Sequence, residues 1–376
     1  MRPLLAGFTV RALAESTVRA GALPVAVDYF GDRDLKAVCP EARSVARAGR
    51  AYDPRWLIDL AQELTWDAVL YTGGLENHPG VVAEFARRAP LFGNSPAVLR
   101  SVRDWRQVSA GLAEAGFRVP MTLPPGATVP ERGSWLVKPV AGSGGAGVAA
   151  AVAGDRPRPG KLIQERLPGA PGSALFVADG QRACLLGVTE LLTPMPAFGG
   201  SAFQYAGNIL LPDSAPALRA RLEALCQALT ARFGLAGVGG VDFIMADGEP
   251  VPLEVNPRYT AAMELLEDAT GCNLFALHLD GCHGRWPAPL PPTLLPPWRG
   301  CYGKAIVYGD QPGTWRFDGD WAAEGIRDVP FPGDAVLAGR PVCTVVASGD
   351  TRDACLARLE ARARAVREAY VDGGNH

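Results

Sequence analysis

Two short segments hold the residue types that handle phosphate and hard cations. They are Gly239-Gly240-Val241-Asp242-Phe243-Ile244 and Pro252-Leu253-Glu254-Val255-Asn256-Pro257-Arg258. Alternation along a strand puts Glu254 and Asn256 on one face. A turn at Asp247-Gly248 folds the first segment back on the second and brings Asp242 beside that pair. Two carboxylates and an amide oxygen make an all-oxygen donor set, which suits Mg²⁺ rather than zinc. Arg258, just beyond, can grip a transferring phosphate or a carboxylate with two parallel hydrogen bonds. Upstream, Trp135-Leu136-Val137-Lys138-Pro139-Val140 leads into Gly142-Ser143-Gly144-Gly145-Ala146-Gly147. These glycines spell G-x-G-x-x-G, but the apolar run Val148 to Val152 follows where a dinucleotide motif needs a helix. They read as a hairpin tip whose N–H groups can close over phosphate oxygens; the alternative is a plain turn with an incidental lysine. Of the 37 basic residues only Lys36, Lys138, Lys161 and Lys304 are lysines, so a lysine in an apolar strand stands out.

The elements that must position these groups follow from periodicity and punctuation. Leu4 to Ala6, Pro24 to Phe30 and Ala68 to Tyr71 read as strands. Helical segments at Thr9 to Ala20, Arg55 to Leu64 and Pro79 to Arg88 lie between and after them, which argues for a parallel α/β sheet. Ligands on such sheets bind beyond the carboxyl ends of the strands. One mouth therefore gathers Gly7 to Arg11, Asp28 to Asp34 and Gly73 to Asn77. Ser101 to Ala115 reads as one helix ending at Gly116, and Ala215 to Phe233 as a long helix ended by Gly234. Residues 286–299 hold six prolines and read as a stiff connector, followed by strands at 301–308 and 341–347 and a charged helix from Thr351 to Tyr370.

Composition removes several classes. With 37 basic against 39 acidic residues and a formal charge of -2, there is no global field to draw the chain onto nucleic acid or anionic lipid. No apolar run of about 18 residues occurs, so no membrane span is expected, and the opening Met1 to Gly7 is too short for a signal peptide. Eight scattered cysteines without a C-x-x-C pair read as reduced thiols in a cytoplasm. Cys272, His278, Cys282 and His283 cluster in sequence, but their spacing fits no standard zinc pattern.

A strand lysine, a glycine-rich hairpin, Ile163-Gln164-Glu165-Arg166-Leu167-Pro168-Gly169, and then Val-Asp-Phe and Glu-Val-Asn-Pro-Arg together resemble the ATP-grasp superfamily. The likeness runs over about residues 90–285. Glu-Val-Asn-Pro-Arg-Tyr-Thr with Glu264 and Thr270-Gly271 is most similar to its carboxylate–amine ligase and carboxylase-like branch. The resemblance implies an α/β fold in three parts: an N-terminal parallel α/β domain (1–95), a central ATP-grasp domain (96–285) with an α+β glycine-rich lid at about 118–166, and a small C-terminal α+β region (286–376). It implies that Lys138 binds ATP phosphates beneath a lid formed by Gly142, Ser143, Gly144 and Gly145. It also implies that Gln164, Glu165, Arg166 and Leu167 line the adenine pocket, largely through backbone groups, and that Asp242, Glu254 and Asn256 hold one or two Mg²⁺ ions.

Two departures stand out. A second phosphate-binding lysine is expected near Val102 to Arg106, where Arg103 is the stand-in, and the acidic residue that usually holds the ribose is missing near Pro171 to Ser173. Thr72 to Pro79 and Gln204 to Asn208 further resemble a bacterial ATP-grasp group associated with methanopterin-type one-carbon cofactors. The expected reaction is ligation, with Lys138 and Arg258 as catalytic cations: a carboxylate activated by Mg-ATP as an acyl phosphate, then joined to an amine. Arg11, Glu76 and Asn77 are the substrate candidates, placed where the N-terminal sheet should face the ATP site. Expected partners are a small-molecule carboxylate and amine, with a homodimer as the candidate assembly. Rival readings are a biotin-carboxylase-like enzyme, a kinase-type phosphotransferase and a non-catalytic nucleotide-binding protein.

Overall fold

The computed structural model describes residues 1–212, 214–286 and 298–371. Most of the proline-rich 286–299 stretch thus lies outside the described residues. A four-stranded parallel sheet opens the chain, in the order Ala42–Ser44, Val25–Asp28, Pro3–Ala6 and Ala68–Tyr71. The three longer strands are buried along their whole length, as a sheet covered on both faces requires. The helix Arg33–Val38 and the strand Ala42–Ser44 were not expected from the periodicity, because each is too short to display a repeat.

The segment expected to form the lid is a small antiparallel sheet ordered Thr122–Leu123, Lys161–Glu165, Trp135–Pro139 and Ala149–Ala150. Its returning strand covers only Ala149–Ala150 rather than Val148 to Val152, and no helix follows the glycines. The long hairpin is present as Ala236–Ala246 and Glu249–Asn256. It belongs to an eight-stranded sheet that continues through Ala170–Asp179, Ala183–Leu191 and Gly207–Leu210 into Cys301–Tyr308, Pro341–Gly349 and Ile326–Arg327. A boundary at 285–286 therefore divides one continuous sheet. The helix Pro216–Phe233 covers one face through Leu222, Leu225, Cys226 and Leu229. On the other face, Leu13, Leu70, Met263 and Phe275 form a core shared with the N-terminal layer. No helix among the described residues is long and apolar enough to cross a membrane.

One buried ionic node ties the layers together. Arg11, at the start of the helix Arg11–Arg19, is 1% exposed. Its guanidinium donates to both oxygens of Glu264 (2.7 and 3.2 Å) and to Asp328 Oδ1 (3.0 Å). Glu264 also pairs with Lys304, and Asp34 accepts from the backbone N–H groups of Asp328 and Val329 (2.8 and 3.0 Å). Lys304 lies in the strand Cys301–Tyr308, so an isolated lysine in an apolar strand does mark an ion pair, though not a phosphate site.

Acid is in excess around this node. Burial, together with neighbouring Asp328 and Asp34, pushes the Asp28 carboxyl up to about 8. Burial likewise pushes Asp34 up to about 6, against the pull of Arg11. Both groups hold protons in the folded chain over a range where the unfolded chain has released them. Their stabilising contribution is complete below about pH 4 and is lost as pH rises toward about 8. The thermal midpoint should therefore fall between pH 5.5 and 8.5, and Asp28→Asn, which keeps a neutral side chain, should flatten that fall. An unchanged slope in calorimetry of Asp28→Asn would remove Asp28 as its cause.

Candidate active site

The hairpin register sets the first part of the site. Asp242 pairs directly opposite Glu254, and Gly240 opposite Asn256, with a bulge after Asp242. The three side chains converge: Asn256 Nδ2 donates to Asp242 Oδ2 at 3.1 Å. Asp242 is half-buried; loss of solvent and the facing Glu254 charge together push its carboxyl up to about 6. Burial acts in the same direction on Glu254, but Arg103 and Lys138 outweigh it and hold that carboxyl below its ordinary range. Such a pair is an electrostatic deficit that a dication would relieve.

Arg103 reaches Glu254 because of a helix break. The expected helix Ser101 to Ala115 is two helices, Pro96–Val102 and Trp105–Glu114. Asp104 caps the second by accepting from the Arg106 N–H. The break frees Arg103, whose guanidinium donates to Glu254 Oε1 (2.6 Å), Asn77 Oδ1 (3.0 Å) and the Gly142 carbonyl (3.2 Å). Asn77 Nδ2 also donates to the Gly142 carbonyl at 2.9 Å. The glycine loop is thus held over the carboxylates by Arg103 and Asn77. On its far side, Tyr205 N–H donates to the Gly144 carbonyl. Gly145 has φ +73, and a Cβ there would lie 1.6 Å from the Phe203 carbonyl oxygen, so only glycine allows this contact.

Lys138 donates to Gln164 Oε1 at 2.9 Å. Burial lowers its pKa and nearby Glu254 restores part of the loss. Lys138, Gln164, Arg103, Glu254, Gly142 and Ser143 line one cleft. Its apolar end is made by Val102, Val108, Leu112 and Leu162, a surface fit for a flat base. Glu165, Arg166 and Leu167 do not turn their side chains into it. Glu165 accepts from the Met121 N–H, Arg166 lies over Phe203, and Leu167 packs on Ala246 and Val251. Only backbone groups of these three can serve a nucleotide there.

Arg258 extends the polar line toward the N-terminal sheet. It donates to Asn256 Oδ1 (3.0 Å) and to Glu76 Oε1 (2.9 Å). Glu76 and Asn77 thus stand at the seam, as the parallel-sheet rule places them, whereas Arg11 is enclosed in the ionic node and reaches no cleft. His278 and Cys282 are 3.5 Å apart, but His278 Nδ1 accepts from the Val238 N–H, and burial lowers its pKa to about 4. Among the described residues no cluster of His, Cys, Asp or Glu is arranged to hold a metal. The Mg²⁺ assignment therefore rests on two carboxylates and an amide, with nucleotide oxygens needed to complete the shell.

Comparison with known proteins gives a match over the central part of the chain. Residues 102–262 match the family described as an ATP-grasp domain. That stretch is similar to an ATP-grasp domain. An uncharacterised protein of Methanocaldococcus jannaschii is 22% identical over 372 residues, covering 92% of this chain and 88% of that one. Among solved structures, the biotin carboxylase domain dimer of the Hydrogenobacter thermophilus 2-oxoglutarate carboxylase, in complex with MgADP, ADP and bicarbonate, superposes with a TM-score of 0.71. It is 16% identical, over 98% of this chain and 90% of that chain. An L-amino acid ligase from Bacillus licheniformis gives a TM-score of 0.69 at 14% identity, over 98% of each chain. At these identities the likeness is one of fold. The groups that sequence reasoning missed are Phe8, Tyr29, Phe30 and Tyr52, in the loops of the N-terminal sheet. Their signal, aromatic residues after successive parallel strands, is legible only once the strands are placed.

Proposed function

We propose that this ATP-grasp protein is a Mg-ATP-dependent ligase that activates a carboxylate as an acyl phosphate and joins it to an amine, releasing ADP and phosphate, in cofactor biosynthesis. The observation that carries this reading is the cleft lined by Lys138, Arg103 and Glu254 beneath a glycine loop, with Asp242 opposite Glu254 in the hairpin and hydrogen-bonded to Asn256. The solved relatives named as an amino acid ligase and as a MgADP-bound carboxylase support it at the level of fold.

Each residue has a defined task in this reading. Asp242, Glu254 and Asn256 would hold Mg²⁺, which supplies charge neutralisation between the phosphates. Lys138 and Arg103 cancel phosphate charge, and the N–H groups of the glycine loop donate to phosphate oxygens. Arg258, positioned by Glu76 and Asn256, orients the carboxylate oxygen for in-line attack and then stabilises the acyl phosphate. No protein nucleophile is required.

Lys138→Ala should weaken Mg-ATP binding about 10- to 100-fold, the loss of one charge-assisted contact worth roughly 1.5–3 kcal/mol. Isothermal titration measures it, and an unaltered affinity would remove Lys138 from the phosphate site. A carboxylase reading is favoured by the bicarbonate-bound relative. Product analysis separates the two: amide with ADP supports ligation, whereas a bicarbonate-dependent carboxylated product replaces it.

A further inference from the structure

Four aromatic rings at the mouth of the N-terminal sheet have no task in the reading above. Phe8, Tyr29, Phe30 and Tyr52 come from three separate loops. Phe8 stacks on Tyr29, with ring centroids 5.3 Å apart and planes at 8°, and meets Phe30 and Tyr52 edge-on at 5.1 and 4.9 Å. All four are only partly buried, although they follow or face strands that are wholly buried. They form an open aromatic wall rather than a sealed core.

That wall abuts the reaction end of the cleft. Phe8 N–H donates to the Gly73 carbonyl. Gly74 has φ +96, and a Cβ there would lie 2.7 Å from the Tyr52 hydroxyl; a Cβ on Gly73 would lie 3.4 Å from the Arg258 guanidinium carbon. Two glycines are therefore all that separates the rings from Arg258. At the same place, polar atoms lack partners. Glu76 is 1% exposed; its Oε1 takes the Arg258 hydrogen bond, but its Oε2 is buried with none. The Tyr52 hydroxyl is also buried without a partner. Burial and then the Glu76 charge raise its pKa, so it stays a neutral donor and acceptor.

A buried carboxylate oxygen left unpaired is costly, and a ligand that brings N–H donors would remove that cost. An ammonium does so while being attracted to ring faces, and a flat ring beside it would stack on Phe8 and Tyr29. We propose that this is the amine subsite and that the amine substrate is an arylalkylamine, its ring on the Phe8–Tyr29 wall and its nitrogen at Glu76 Oε2. The inference rests on the ligase reading and narrows its substrate class. In the transfer step the ammonium gives one proton to Glu76 Oε2. The freed lone pair attacks the acyl phosphate carbonyl carbon, the C–N bond forms and the C–O bond to phosphate breaks. Phosphate leaves with that electron pair and takes up the second nitrogen proton.

The test is calorimetric titration of the full chain, saturated with a non-hydrolysable Mg-ATP analogue, with phenethylamine, n-hexylamine and 3-phenylpropionate. Phenethylamine should bind at least about tenfold more tightly than either alternative, a difference of about 1.4 kcal/mol. Phe8→Leu should weaken it severalfold, as should Tyr29→Leu if the first variant does not fold, and Glu76→Gln should weaken it without favouring n-hexylamine. Equal binding of n-hexylamine, tighter binding of 3-phenylpropionate, or nucleotide binding with no amine binding overturns the amine assignment and leaves the ligase reading standing. Failure of the nucleotide itself to bind refutes the ligase reading and the amine assignment with it.

Discussion

Glu254→Ala should cut Mg-dependent ADP release by roughly a thousandfold, comparable to the loss of a dedicated transition-state electrostatic contact. Glu254 stands opposite Asp242 and binds Arg103 at 2.6 Å. Its removal therefore takes one of two carboxylates from the cation site and releases Arg103 into the phosphate path. Glu254→Gln isolates the first effect, because an amide still accepts from Arg103 but brings no charge, and it should also lose Mg²⁺ dependence. The side chain is partly exposed in the cleft and supports no core, so the thermal midpoint should move by only a few degrees. Turnover within about twofold of the parent, measured as ADP release across a Mg²⁺ titration, would refute the metal assignment.

Glu264→Ala should have the largest effect on stability. Glu264 is the shared anion of Arg11 and Lys304, and all three side chains are nearly inaccessible. Removing it takes the carboxylate partner from buried Lys304 and leaves Arg11 with Asp328 and Asp34, a change that costs about 3–5 kcal/mol when one partner of a buried pair is lost. At about 2–4 °C per kcal/mol in larger domains, the thermal midpoint should drop by roughly 6–20 °C. Burial works to raise the Glu264 pKa, but Arg11 and Lys304 overcome it and depress it strongly. Its contribution is therefore present above the ordinary carboxylate range and is lost only as pH falls into strong acid. A variant that melts with the parent at neutral pH would show that the node does not hold the layers together.

What was legible in the sequence was local. The Asp242–Glu254–Asn256 convergence followed from strand alternation and one Asp-Gly turn, and the glycine hairpin from the strand-like residues on both sides. The parallel N-terminal sheet followed from apolar runs alternating with helical ones. What was not legible depended on partners far along the chain. Arg11 was placed at the mouth by the general rule for parallel sheets, but its guanidinium turns to Glu264, 253 residues away, and nothing in its neighbourhood announces that partner. Arg103 was found as a stand-in cation, yet its delivery into the cleft depends on a cap at Asp104 that was read as helix interior. The aromatic wall is assembled from three loops whose proximity exists only after the sheet has formed.

The eight-stranded sheet carries a consequence for how the chain can be cut. Cys301–Tyr308 is hydrogen-bonded to Gly207–Leu210 on one side and to Pro341–Gly349 on the other. A protein shortened to residue 285 would leave the flank of Gly207–Leu210 bare, with a row of unsatisfied amides open to intermolecular pairing. It would also discard Lys304, leaving Glu264 with Arg11 as its sole counter-charge. The last quarter of the molecule is thus a sealing edge for the layer that carries the cleft rather than an appendage, and a truncation meant to isolate that layer would instead create an aggregating species.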